Sequence, residues 1–578
     1  MKTLVIFSLI ATFLSRREIE TGDPVTVLKN LSPDFPAVVR ILPGTYTVPS
    51  GGIHLRQLRN VTILADQVVF LTGDPQSRTL LFEQCTDVTV RGLTIDYDPL
   101  PFTQATLTAV DYKAYTADFT VHDGYPDLTE PYLAKRFHLF EAGQPRWKEG
   151  APDYYVQQVE RLDARTGRIH LLNEDPGIGF LASGDRVVFN IRDGYAVKIA
   201  NGCKDITLEN VTIHAAPGAA VMVRYAENTG IYKNLKVIPG PTPDGTVHER
   251  LMSTGADGFN AAYTRTGPLL DGCEFAYMGD DSVNLHGLIL PVLLFSDSQT
   301  FIAMRPGSEP FEAVFRRGDN IRFLTAPDYR LIGQAEVQAV TRDGVPENVD
   351  WLTAIKEVWP SFKSGDAASF YRVALETGVD FERMLSGGGR IFFESFAAAP
   401  TGYVIQNNSF RDHRGRGLRL MAGNGVVHSN YFARIKGAAI SAGPSFAYWK
   451  EAGWVENITI RDNMIYDAGH GRDITDADSY TLGAISIFAE VVSNGFQTVY
   501  YAGNRNLNII NNTIDGCSVD GINVVAANDV LVESNTIRRV NQRSISDAGS
   551  AYGLRYGQAV TVQYSTSTTV QDNNTGSE

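Results

Sequence analysis

The chain has 578 residues, 43% hydrophobic and 20% charged, with a formal net charge of −14. That is the composition of a large globular protein and not of a disordered one. The acidic balance argues against nucleic acid and anionic membranes as partners, because both demand concentrated Lys and Arg. A neutral sugar is indifferent to it, and a polyanionic glycan is mildly repelled.

Residues 1–20 open with one Lys and an apolar run from Leu4 to Leu14, too short to span a bilayer. They read as a secretory signal peptide, which predicts a secreted or periplasmic protein; the alternative is a buried N-terminal strand. No later segment is apolar for long enough to cross a membrane, so no membrane insertion is expected. From about residue 35 the chain consists of short, β-branched, alternating segments such as Val61-Thr62-Ile63-Leu64 and Val88-Thr89-Val90. Asn-containing turns then recur at fixed steps: Asn210 to Asn234 is 24, Ile405 to Val427 is 22, and Asn512 to Asn535 is 23. A period of this size with strand alternation and no helical periodicity predicts an all-β solenoid, a right-handed parallel β-helix. One coil cannot bury its own apolar face, so inward residues must stack in rows and turn Asn residues in hydrogen-bonded ladders.

Two stretches break the rhythm. Coils are expected over residues 35–98, 188–287 and 390–564. Residues 99–187 and 288–389 read instead as inserted antiparallel β-barrel or sandwich subdomains, each long enough for a small core. Insertions of this kind are expected to wall a site. Residues 565–578, rich in Ser, Thr and Asn, read as a disordered tail.

Cys85, Cys203 and Cys273 enter coils at comparable places and, with Cys517, lack the close pairing of a zinc site. They are expected as buried free thiols. Asn-x-Ser/Thr sequons at Asn30, Asn60, Asn210, Asn407, Asn457, Asn511 and Asn573 mostly fall on the Asn-turn pattern and read as ladder members before glycosylation sites.

The chemistry concentrates in one place. Asp257, in Gly255-Ala256-Asp257-Gly258-Phe259-Asn260, precedes Asp280, in Gly279-Asp280-Asp281-Ser282-Val283-Asn284, by 23 residues. One coil apart, at about 4.8 Å per coil, these carboxylates become neighbours. An isolated Asp in a β-helix turn, such as Asp205 or Asp462, is usually a cap or ladder residue. Here flanking glycines let the backbone bend or approach closely, and Gly279 allows Asp280 and Asp281 to share a site despite strand alternation. Clustered carboxylates repel, so one is expected to stay protonated as a general acid while the others handle water. Such a pair hydrolyses glycosidic bonds, with inversion at carboxyl separations of about 6.5–9.5 Å and retention at about 5 Å.

The run Gly255 to Gly287, the two insertions, Arg416-Gly417-Leu418-Arg419-Leu420-Met421-Ala422-Gly423-Asn424-Gly425 and Trp449-Lys450-Glu451-Ala452-Gly453-Trp454 together resemble glycoside hydrolase family 110. The resemblance covers most of the chain. It implies an exo-acting, inverting α-1,3-galactosidase acting on blood-group-B-like or linear glycans, with Asp257, Asp280 and Asp281 as the catalytic carboxylates. Asp280 is expected as the acid, with Asp257 and Asp281 activating water. No cofactor and no metal is expected, and the partner is a galactose-containing oligosaccharide or glycan; a homo-oligomer is allowed.

Substrate contacts are expected from Asn284, His286, Arg416, Arg419 and Glu451 through hydrogen bonds, and from Trp449 and Trp454 by stacking on galactose. Each has a structural alternative in loop packing or ladder bridging. The Asp, then Asp-Asp, pattern also resembles polygalacturonases, whose basic tripeptide is similar to Arg434-Ile435-Lys436, so a hydrolase of an acidic polysaccharide is the alternative enzyme. A non-catalytic glycan-binding β-helix is the alternative outside enzymes.

Overall fold

The computed structural model describes residues 16–347, 349–446, 448–470, 481–490, 501–542 and 557–576. Within them the chain is a right-handed parallel β-helix built from three ladders of short parallel strands. One ladder runs through Ala37–Ile41, Lys204–Glu209, Val404–Gln406 and Glu456–Arg461. A second runs through Gly44–Val48, Glu274–Ala276, Ser409–His413 and Tyr431–Ile435. The third, which carries the site, runs through Tyr195–Ala200, Ala219–Arg224, Phe259–Ala262, the first residues of Val283–Asp297, and Leu418–Met421.

Registers explain the period seen in the sequence. Val39, Ile63, Val90, Leu208, Tyr232, Leu270, Ile405, Val427, Ile460, Ile509 and Val532 pair in succession along one row, and all are buried. Burying each such side chain contributes roughly 1.5–3 kcal/mol, which no single coil could collect alone. Phe275, Phe410 and Phe432 stack in a parallel row, at 5.4 and 4.9 Å between centroids. At the turns, Asn408, Asn430, Asn463, Asn512, Asn535 and Asn573 hand amide hydrogen bonds from coil to coil, each Nδ2 donating to the next Oδ1 at 2.9–3.0 Å. The exposed sequon residues Asn210, Asn457 and Asn511 sit in outer ladders of the same kind. The four cysteines are buried free thiols.

Both interruptions are antiparallel, and they differ. The first is a seven-stranded open sheet from Phe102–Asp111 to Arg186–Asn190, in the spatial order 154–155, 136–140, 186–190, 102–111, 116–121, 166–170, 158–161. Its apolar residues, Phe119 and Phe137 among them, belong to the same continuous core as the coils. The second is a closed six-stranded barrel of Val283–Asp297, Thr300–Pro306, Ala368–Leu375, Arg330–Asp343, Asn320–Thr325 and Ile391–Glu394, with a separate core around Phe301, Phe323 and Phe393.

The chain ends depart from expectation. Arg17–Thr21 is already a strand paired with Ala37–Ile41, so the solenoid begins before residue 35 and overlaps the expected leader; residues 1–15 lie outside the described residues. Thr566–Gln571, expected in a disordered tail, pairs in parallel with the strand Ala527–Glu533. Its β-branched residues Thr566, Thr568, Thr569 and Val570 suit a ladder whose template lies one coil below, and polarity alone did not reveal that. Among the described residues no helix is long and apolar enough to cross a membrane.

Candidate active site

The strands Phe259–Ala262 and Val283–His286 pair at a step of 24, with Phe259 beside Val283. Carried back two residues, this sets Asp257 on Asp281; the 23-residue spacing had suggested Asp280. Both lie in irregular backbone flanked by bends, just ahead of their strands. The bends are stitched together as Gly258 N–H donates to Asp281 O at 2.9 Å and Gly279 N–H to Thr254 O at 3.0 Å. Outside the strand, alternation no longer applies, and that is how Asp280 and Asp281 face one cavity. On the next coil, Gly415 and Arg416 occupy the matching bend: Leu418 pairs with Val283. A Cβ on Gly415 would sit 2.6 Å from both Asp280 C and Asp281 Oδ1, so only glycine permits this approach.

The three carboxylates have oxygens within 4.8 Å of one another. They line a cavity of about 520 Å³ together with Arg192, Asn260, Asn284, Arg414, Arg416, Lys436, Trp449 and Glu451. Three guanidiniums divide the negative charge unequally. Arg192 pairs with Asp280 through Nη2, and Arg414 reaches the same carboxylate at 2.8 Å while its Nε donates to Gly279 O at 2.6 Å. Arg416 engages both oxygens of Asp281, from its backbone N–H at 2.7 Å and its Nη2 at 2.8 Å. Asp257 accepts 2.6 Å from Asn260 Nδ2, whose amide is oriented by Arg224 donating 2.7 Å to its Oδ1.

These contacts set the protonation pattern. Burial pushes Asp257 well above the usual carboxylate range, and the charges of Asp280 and Asp281 add to the effect. Burial likewise lifts Asp281, to about 6, against the pull of Arg416. Burial also acts on Asp280, but Arg192, Arg416 and Arg136 outweigh it and hold this group below its ordinary value. Asp280, expected as the acid, is thus the carboxylate of the three that its surroundings push toward the ionised form. The three oxygens could ring a hard divalent cation, which favours carboxylate ligands, but Arg192, Arg414 and Arg416 already supply positive charge to two of them.

The other expected contacts divide. Asn284, Arg416, Trp449 and Glu451 line the cavity. His286 does not: it is buried behind the wall, with Nδ1 against Gly287 O at 3.0 Å and Nε2 3.7 Å from Glu451. Arg419 is 1% exposed, in line between Asn284 and Ser441 on the ladder and outside the cavity. Trp454, 3% exposed, is packed on Phe446 and donates from Nε1 to Tyr329 O at 2.9 Å; it is core, whereas Trp449 is 52% exposed at the cavity. Arg192, Arg414, Asp153 and Tyr155 escaped the sequence reading. Arg414 had a signal in its place two residues before Arg416, in the bend that stacks on Asp280-Asp281, but Asp153 and Tyr155 come from an insertion with no repeat to register them.

No family model matches the chain. Among characterised proteins it is 24% identical over 518 residues to alpha-1,3-galactosidase B of Akkermansia muciniphila, covering 84% of this chain and 57% of that protein. The chain is a relative of the alpha-1,3-galactosidases. A second, alpha-1,3-galactosidase B of Parabacteroides distasonis, is 27% identical over 51% of this chain and 44% of its own length, so the chain spans about half the length of the curated relatives it matches. These are the family 110 enzymes that the sequence resembles. Among solved structures, an exopolygalacturonase from Thermotoga maritima superposes with a TM-score of 0.40 at 12% identity, covering 97% of this chain and 92% of that one.

Proposed function

We propose that the chain is an exo-acting, inverting glycoside hydrolase that releases terminal α-1,3-linked galactose from oligosaccharides or glycoconjugates. The observation that carries this reading is the cavity in which three carboxylates from adjacent coils lie within 4.8 Å while guanidiniums bias their protonation. The names of the relatives supply the sugar and the linkage. Secretion, resting on the composition of residues 1–15, is part of the same proposal.

The roles follow from charge. Asp257, the carboxylate with the least compensation, carries the proton and donates it to the departing glycosidic oxygen. Asp280, paired with Arg192 and Arg414 and pushed toward the ionised form chiefly by Arg192 and Arg416, and Asp281, oriented by Arg416, hold and deprotonate the attacking water. Oxygens within 4.8 Å of one another fall on the retaining side of the separation rule, and the inverting reading rests instead on how the carboxylates approach the reaction line. The attacking oxygen waits roughly 3–3.5 Å from the anomeric carbon, and carboxylates that approach the reaction line from its side can serve both ends while lying nearer than a pair placed beyond them. Activity is lost as pH rises through the raised value of the acid, and lost as pH falls first through about 6, where Asp281 takes up a proton, and then through the lowered value of Asp280.

The four cations in the cavity favour one second reading, an acidic-glycan hydrolase. Each cation already has a carboxylate partner, Asp280 for Arg192 and Arg414, Asp281 for Arg416 and Asp153 for Lys436, which leaves the neutral sugar ahead.

The test compares galactose release from an α-1,3-galactosyl disaccharide with product release from a galacturonate oligomer, using wild type and the Asp→Asn variants at 257, 280 and 281. Release of galactose alone is expected. The acid variant should keep activity on α-galactosyl fluoride, whose leaving group needs no proton; if Asp280→Asn is the variant so rescued, the acid role returns to Asp280.

A further inference from the structure

We propose that the first inserted sheet builds a binding subsite for the sugar that leaves, with Tyr155 as its stacking platform. The proposal deepens the hydrolase reading above and rests on it.

Strand alternation fixes the aim of this ring. Tyr154 and Tyr155 form a two-residue strand beside Arg136 and Phe137. Tyr154 is buried, stacked on Phe137 at 4.3 Å, with its hydroxyl donating 2.9 Å to Gly177 O. Its neighbour must therefore face the other way, and Tyr155 lines the cavity with 60% of its surface exposed. The Arg136 guanidinium lies 5.9 Å from the ring centroid. An exposed aromatic on a rigid strand costs solubility unless something covers it, and a sugar's apolar face is a suitable cover.

The position is held from the catalytic side. Asp153, two residues earlier, pairs with Arg414 and lies 3.5 Å from Lys436; Arg414 is the same side chain that grips Asp280. Trp147 Nε1 donates 2.8 Å to Asp412 O, fixing the segment that leads to Tyr155 against the coils. One guanidinium thus ties the platform to the reacting carboxylate.

Depth assigns the ring to the leaving sugar. The carboxylates form the floor, with Asp257 and Asp281 8% and 1% exposed, and an exo-acting hydrolase seats its terminal sugar there. The more exposed Tyr155 belongs to the mouth, where the rest of the glycan emerges. The cavity, at about 520 Å³, has room for more than one hexose.

The experiment compares wild type, Tyr155→Ala and Tyr155→Phe on an α-1,3-galactosyl disaccharide and on α-galactosyl fluoride, which has no leaving sugar. Losing a stacked ring is expected to lower kcat/KM for the disaccharide by about three- to tenfold, with the fluoride unchanged and the Phe variant close to wild type on both. Equal losses on the two substrates, or no loss on the disaccharide, would overturn the subsite. If wild type turns over neither substrate, the hydrolase reading has failed. Calorimetric titration of the disaccharide into wild type and Tyr155→Ala then decides the subsite alone: weaker binding by the variant supports it, and equal binding or none overturns it.

Discussion

The two insertions look alike in the sequence, as alternating strands between coils, yet they meet the cavity in opposite ways. The first is an open sheet that shares its core with the solenoid and lends Asp153 and Tyr155 to the cavity lining. The second closes on itself around its own core, and among its described residues none from 288–389 lines the cavity. Its reach is indirect: Leu288, on the strand that leaves the coil for the barrel, pairs with Glu451 and steadies the loop bearing Trp449. An open sheet must borrow a core and is thereby fixed in place, whereas a closed barrel is self-sufficient and acts as a buttress. The expectation that both insertions wall the site holds for one in the direct sense.

Cutting the link between the first insertion and the floor should have the largest effect. Arg414→Ala removes the partner of both Asp280 and Asp153, and a fall in kcat/KM of about 10²–10³ is expected on the scale of lost charged positioning groups; steady-state kinetics on the disaccharide checks it. A core truncation in each insertion comes next. Phe119→Ala and Phe301→Ala should each cost about 3–5 kcal/mol locally. Phe119 packs in the continuous core and on Phe189 at 4.7 Å, so its loss should lower the main melting transition and activity together. Phe301 packs in the barrel against Phe323 and Phe393, so its loss should produce an earlier separate transition in calorimetry with KM little changed below it. One joint transition in both variants would mean that the barrel is not independent.

Asp257→Asn should move stability the other way. Burial raises the folded-state value of this carboxyl, so its contribution is fully present below the unfolded value near 3.8 and is lost as pH rises through the folded value. At neutral pH the ionisation penalty remains, and an isosteric amide that still accepts from Asn260 avoids it. Melting measured at pH 7 should rise by a few degrees while turnover is abolished; a lower melting temperature at pH 7 would contradict the charge pattern. The smallest effect separates two tryptophans: Trp449→Phe should raise KM about twofold or less by exchanging one ring for another, and Trp454→Phe should cost stability without touching KM.

The sequence carried the solenoid because its physics is periodic. Where no longer loop intervenes, inward rows and Asn ladders repeat at 22–24 residues, as from Asn408 to Asn430 and from Asn512 to Asn535, and that period alone brought Asp257, Asp280 and Asp281 together. A one-residue difference in register still moved the partner of Asp257 from Asp280 to Asp281, because coil length was read from turn residues while pairing is fixed by strands. Where the period stops, residue chemistry had no coordinate. Trp449 and Trp454 are equally aromatic, and only the packing of Trp454 on Phe446 distinguishes them. Arg419 alternates outward from its strand and is nevertheless buried. Division of roles among the carboxylates also lay beyond the spacing, since it depends on Arg192, Arg416 and Arg136, which arrive from outside the two coils that carry the acids.

The anomer of the galactose first released from an α-1,3-galactosyl disaccharide, followed by NMR before mutarotation, tests the carboxylate cavity most directly. β-Galactose from wild type, with none from the Asp280→Asn variant, is the expected result. α-Galactose as the first product, or undiminished release by that variant, would contradict it.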